Sequence, residues 1–158
     1  MLLVISVAGL EFALIMFDYH LATEATRRAA RVAVIEPPMV NVDEITTSGV
    51  TCTYAGGATP SCTGASTSAY AIATFDKIAA AITEMIPGAT SDPSLSITVT
   101  YRDTELTDGA ATNVFTPSVT VRLVGLKYEF FAAGLLGVGG FQFPSFDTTR
   151  VGPSEIPS

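Results

Sequence analysis

Cys52 and Cys62, Glu11, His20 and an acidic trio at Asp103, Glu105 and Asp108 are the side chains whose type and spacing could do chemistry. The cysteines enclose nine residues, Thr53-Tyr54-Ala55-Gly56-Gly57-Ala58-Thr59-Pro60-Ser61, a loop rich in Gly, Pro, Ser and Thr. A disulfide closing such a loop stabilises by roughly 2.5–3 kcal/mol in the chain-entropy account, and this pairing is the one expected. A zinc site needs more ligands than one histidine and two cysteines without a Cys-x-x-Cys pair can supply, so no metal and no other cofactor is expected. His20 is the single histidine and lies on the anchor helix just past the apolar run, away from any domain cleft, so a Ser-His-Asp arrangement is not expected and no residue is assigned a catalytic role. Asp103, Glu105 and Asp108 surround turn chemistry and read as a solvated loop rather than a cation site. Gly137-Val138-Gly139-Gly140 lacks the strand, helix and six-residue fingerprint of a phosphate loop. Glu11 is the sharpest feature, because a carboxylate in mid-membrane costs roughly 2.5–3.5 kcal/mol on insertion scales. It has two placements: in an apolar bundle beside a neighbour's cation, or at the headgroup boundary.

The element that positions Glu11 is the N-terminal segment. Met1 to Phe17 is an apolar run of membrane grade, and it continues to Ile35 with no Gly or Pro between Gly9 and Pro37. One helix of that length is roughly 52 Å long, so only about its first half fits a hydrocarbon core of about 30 Å and the rest projects outwards. Glu24, Arg27, Arg28 and Arg31 share one face of the projecting half, and Ala22, Ala25, Ala29 and Ala33 share another. Nothing basic precedes the apolar run and the arginines follow it inside the helix, which reads as a retained anchor rather than a cleaved signal. Arginines behind a span argue for a cytoplasmic flank. The cysteine pair and the Thr-rich, Lys-poor remainder argue for an extracytoplasmic domain, and that orientation is the one expected.

Glu11-Phe12, Thr23-Glu24-Ala25, Arg27 and Arg31 match in register a pattern that resembles the N-terminal region of TadE-like proteins, the pilin-like components of Flp/Tad pilus assembly. The run Val121-Arg122-Leu123 and the stretch Phe141 to Arg150 are similar to the end of many such chains, whereas residues 40–115 carry no matching motif. The family's leader site and a further Glu-Phe lie upstream of its Leu-rich stretch, and Met1 to Ile5 already lie within that stretch, so the leader site is carried over to no residue. The resemblance implies a minor pilin or pseudopilin, not an enzyme. It would be held in the bacterial inner membrane with a periplasmic domain before assembly into an extracellular pilus. Its partners would be other pilin-like subunits and the assembly machinery, engaged through Glu11, Asp18, Glu24, Arg27, Arg28 and Arg31. Alternatively the projecting half lies on its own sheet through Leu21, Ala25, Val32 and Ile35.

Of the 158 residues, 1–36 are read as the membrane and assembly helix and 37–158 as one extracytoplasmic α+β domain. The net charge of −7, with the cations clustered on the N-terminal helix, gives nucleic-acid binding no electrostatic basis. Ile72, Phe75, Ala79, Ile82 and Ile86 recur at helical spacing between a Ser/Thr cluster and Pro87-Gly88, predicting an amphipathic helix over 66–86. Leu95, Ile97, Val99 and Tyr101 alternate with polar residues, as do Val119, Val121 and Leu123, predicting a hairpin with one buried face. Residues 127–140 are too Gly-rich for a good helix and read as a loop covering the sheet edge or meeting a neighbour. The segment from Phe141 is extended, and Pro144 confines it to an edge. A tethered adhesive or ligand-binding module that never polymerises is the alternative, with Tyr128, Phe130, Phe131 and Phe141 as its exposed aromatic cluster. A membrane-anchored hydrolase is a third and weaker reading.

Overall fold

Helix α1 (Leu2–Ile35) is a single unbroken helix. It stops where expected: the Glu36 amide still reaches Val32 O at 3.0 Å, and Pro37-Pro38 cannot continue the ladder. The computed structural model describes residues 2–55, 59–104, 117–130 and 140–152. Within these, α1 is followed by strands β1 (Val50–Ala55) and β2 (Ser61–Thr63), helix α2 (Ala71–Thr83), and strands β3 (Ser96–Asp103), β4 (Pro117–Val124), β5 (Lys127–Tyr128), β6 (Phe141–Gln142) and β7 (Phe146–Val151). The class is α+β.

Five strands form one antiparallel sheet in the order β2-β1-β3-β4-β7, and β5 and β6 form a separate two-stranded ribbon. Because strand side chains alternate, β3 and β4 send Ile97, Val99, Tyr101, Val119, Val121 and Leu123 to one face, where all six are buried. Both helices pack on that face. The predicted hairpin is present in the register Val99↔Val121, while its connection, 105–116, lies outside the described residues. Strand β7 occupies the sheet edge next to β4, but Pro144 lies outside it, in the connection from β6, and so does not itself set that position.

Helix α2 is shorter than the predicted 66–86. Its start is delayed by tertiary hydrogen bonds: Asn41 N–H donates to Ser66 O, Ser68 N–H to Met39 O, and Ser68 Oγ to Pro38 O at 2.7 Å. Its buried stripe is Ala71, Thr74, Phe75, Ile78, Ala79 and Ile82, and Ile72 is instead 60% exposed. Thr74 is admitted to the core because its hydroxyl donates to Pro37 O at 2.8 Å. Strand β1 has no counterpart in the sequence pattern. Val50 and Cys52 face the core and Tyr54 stacks on Phe75 with ring centres 4.3 Å apart, but the run is too polar and too close to the Gly-rich loop to announce itself.

Residues 127–140, read from the sequence as a loop, begin instead as strand β5, which pairs with β6 just beyond them. Gly125 starts this departure from the sheet. Its φ is +94°, and a Cβ there would lie 2.0 Å from Ser94 O, so only glycine fits. The chain then leaves β4, and Phe143 N–H closes the base of the ribbon on Leu126 O at 2.9 Å.

Candidate functional site

Helix α1 presents two unlike faces along its length. One stripe runs Glu11, Ile15, Asp18, Ala22, Ala25, Ala29 and Ala33 at intervals of three and four residues. Its four alanines, with Thr26 and Ala30, are buried in the same cluster as the sheet residues Val99, Tyr101, Val121 and Leu123. Alanine carries only a methyl group, too small to hold the helix off, so α1 lies close against β4 and β7. Thr26 is tolerated there because its hydroxyl donates to Thr23 O at 2.9 Å and accepts from Thr148 Oγ1 at 3.4 Å. Of the residues expected to line this contact, Ala25 does so, Leu21 and Val32 are half-buried, and Ile35 is 75% exposed.

The opposite stripe is open. Leu10, Phe12, Leu14 and Phe17 are exposed, Phe12 by 65% and Phe17 by 59%. Glu24, Arg27, Arg28 and Arg31 follow towards the C-terminal end. Arg28 reaches Glu84, just beyond α2, at 3.0 Å, and Glu24 lies 3.9 Å from both Arg27 and Arg28. Solvated pairs of this kind hold their partners by about 0–1 kcal/mol and exchange readily. Arg31 is exposed and makes no ion pair among the described residues. Among those residues the helix is the one element long and apolar enough to cross a membrane, from Ile5 to Ile35.

Glu11 departs from its neighbours. It is 8% exposed, on a segment whose neighbours Leu10 and Phe12 are open. Partial burial pushes the Tyr128 phenol of β5 above its ordinary value, and the negative fields of Glu11 and Asp18 add to that rise. At the base of the ribbon Tyr19 packs edge-on to Phe146 with ring centres 5.1 Å apart and tilted to Phe143 at 6.4 Å. The base of the ribbon, at Phe143, therefore meets α1 at the level of Tyr19. The sequence did not reveal this contact, because nothing local to residues 127–142 names the helix as their partner.

The outer face of the sheet is a polar concavity lined by Ser48, Thr98, Arg102 and Arg122 among others. Register places Thr63, Thr51, Thr100, Thr120 and Thr149 in one row across all five strands. Thr51 and Thr100 share a hydrogen bond of 3.0 Å, and Thr120 and Thr149 one of 2.7 Å. Arg122 sits 3.8 Å from Asp147 in the adjacent row.

Cys52 and Cys62 are joined in a disulfide between directly opposed residues of β1 and β2. His20 stands on α1 beside Tyr19, with ring centres 6.1 Å apart. Asp103 ends β3, whereas Glu105, Asp108, Phe131 and Gly137 to Gly139 lie outside the described residues. Among the described residues no group of three His, Cys, Asp or Glu side chains could hold a metal ion. Comparison of the chain with protein-family models, with curated proteins and with solved structures finds no match in any of the three.

Proposed function

We propose that this chain is a pilin-like structural subunit, a minor pilin or pseudopilin of a Tad/Flp-type pilus. Helix α1 holds it in the bacterial inner membrane before assembly and packs against other pilin-like subunits afterwards. The observation that carries the reading is the division of α1: an alanine stripe buried in its own domain, and opposite it the apolar residues Leu10, Phe12, Leu14 and Phe17, followed by Arg27 and Arg31, left open. An exposed apolar stripe on so long a helix requires lipid or a protein partner. The charged continuation suits a partner met outside lipid, where Arg27, Arg28 and Arg31 can exchange their weak internal pairs for a neighbour's carboxylates. The resemblance of Glu11-Phe12, Thr23-Glu24-Ala25, Arg27 and Arg31 to TadE-like proteins supports this reading. The role is mechanical rather than catalytic, with no nucleic acid involved. The test is fractionation of the source cells after shearing of surface filaments. The chain is expected in the sheared filament fraction, and its complete retention with the membrane would overturn the reading.

The polar concavity favours a second reading, a tethered module binding a hydroxyl-rich or anionic ligand through Arg102, Arg122 and the threonine row. In that case the chain would remain in the membrane, and Arg122→Ala would abolish ligand capture.

A further inference from the structure

Both helices cover one face of the five-stranded sheet, and the other face is the polar concavity, about 550 Å³ in volume, a size that suits a short oligomer. Strand alternation sets three rows on it. The middle row is Thr63, Thr51, Thr100, Thr120 and Thr149; Arg102 stands in the row on one side, opposite Ser118, and Arg122 in the row on the other, opposite Thr98. Both arginine heads lean outwards: a Cβ added at Gly49 would lie 3.4 Å from Arg102 Nε, and Arg122 is 3.8 Å from Asp147 of β7. Gly49 directly precedes β1, so the heads are three strand spacings apart, roughly 14 Å, on opposite sides of the threonine row. Within that row Thr51 is bonded to Thr100 and Thr120 to Thr149. In each pair the accepting hydroxyl keeps its own proton, so the pair presents a donor as well as acceptors to an incoming oxygen. Asp103, next to Arg102, falls by alternation on the other face, and Asp147 is the acidic residue of the lining among the described residues. No aromatic ring lines the concavity among those residues, so it can recognise a ligand by hydrogen bond and charge but not by stacking.

We infer that this face binds an acidic polysaccharide, an extended β-linked chain of uronate units lying along the threonine row at right angles to the strands. The inference rests on the second reading of the proposed function and names its ligand. Neighbouring strands lie about 4.7–4.9 Å apart, close to the advance of one pyranose unit along such a chain, so four consecutive units fall over Thr51, Thr100, Thr120 and Thr149. Successive units of an extended chain are turned by half a rotation, and their carboxylates point alternately to its two sides. The first and fourth units therefore send carboxylates to opposite sides, where Arg102 and Arg122 stand. A guanidinium holds a carboxylate by a fork of two N–H···O bonds, and the five donors of Arg122 can serve Asp147 and a sugar carboxylate together. Between these two anchors the threonine hydroxyls meet the hydroxyls and ring oxygens of the sugar. Single-stranded nucleic acid fits the face poorly, because its bases find no ring to stack on and the net charge of −7 repels its phosphates.

The full chain, in a non-ionic detergent without a sugar headgroup, is titrated calorimetrically with β-linked tetramannuronate, with dimannuronate, with neutral mannotetraose of the same linkage and with sodium sulfate. Tetramannuronate is expected to bind at least tenfold more tightly than the other three. Arg102→Gln and Arg122→Gln should each weaken it at least tenfold, and Lys127→Gln, which removes an exposed cation outside the concavity, should leave it unchanged within twofold. Thr100→Val combined with Thr120→Val keeps the charge and the side-chain shape and should weaken it at least threefold. Dimannuronate or sulfate bound as tightly as tetramannuronate, with the same loss in the arginine variants, would overturn the polysaccharide and leave the concavity an anion site, as the second reading has it. Mannotetraose bound as tightly would overturn the acidic class and leave a site for a neutral, hydroxyl-rich ligand. Absence of binding by all four probes, or binding that neither arginine variant weakens, would overturn the second reading together with this one.

Discussion

Ala29 and Arg31 are two residues apart on one helix, and exchanging each tests the assignment of its faces. Ala29 is fully buried beneath the sheet, so Ala29→Leu inserts three further carbons where helix and strands already touch. Overpacking of that kind destabilises by roughly 1–3 kcal/mol, because neighbours are forced off their rotamers or the helix is pushed outwards. In a domain of this size each kcal/mol is worth about 2–4 °C, so the melting temperature should fall by roughly 2–12 °C. Arg31→Glu changes an exposed side chain and should move stability by about 0.5 kcal/mol or less, within roughly 2 °C. It reverses the charge offered to a neighbouring subunit, so the filament fraction should drop at least tenfold while the protein in the membrane stays folded. Thermal unfolding in detergent, followed by circular dichroism, gives the first quantity, and immunoblotting of sheared and membrane fractions gives the second. A melting temperature lowered as much by Arg31→Glu as by Ala29→Leu would show that the arginine face, and not only the alanine face, supports the fold.

Two further outcomes concern the domain itself. Reducing Cys52–Cys62 frees a loop with a sequence separation of 10, and unfolding in urea should become easier by about 2.7 kcal/mol; an unchanged midpoint would mean that the bridge does not limit the unfolded chain. Tyr101 is buried with its hydroxyl accepting from Met39 N–H at 3.4 Å, and burial raises its pKa from 10.0 to about 12. Above pH 10 the unfolded chain releases a proton that the folded chain keeps, so stability should fall between pH 10 and 12 by up to about 2–3 kcal/mol. Tyr101→Phe, measured by urea unfolding at intervals across that range, should flatten this slope; equal slopes in the two proteins would place the alkaline transition elsewhere.

The strands of the central hairpin were legible because Ile97, Val99, Tyr101, Val119, Val121 and Leu123 alternate strictly with polar residues, and a two-residue period has one physical solution when one face is buried. The extent of α1 was legible from its freedom from Pro and Gly beyond Gly9 and from Pro37-Pro38. Helix α2 was overextended because the Ser66–Ser68 segment looks like an N-cap locally, yet its backbone is claimed by Met39 and Asn41. Ile72 misled because it lies at the margin of the apolar stripe, whose centre is Ala71, Thr74, Phe75, Ile78 and Ile82, and it faces water. The threonine row and the contact of Phe143 with Tyr19 of α1 depend on register and on contacts between residues far apart in the chain, which no local pattern encodes. Glu11 was legible as exceptional from its apolar surroundings, but the direction of its carboxylate was not.

If subunits meet through the outer stripe of α1, a photo-crosslinking amino acid placed there will capture a neighbour. Phe17 and Arg31 are the positions to replace, with Thr120 on the polar sheet face as the control, in cells that assemble filaments. Adducts joining the chain to pilin-like subunits are expected from positions 17 and 31, found in the filament fraction, with none from position 120. Adducts from position 120 alone, with 17 and 31 captured only by lipid, would contradict this and assign the protein's work to the threonine-lined face.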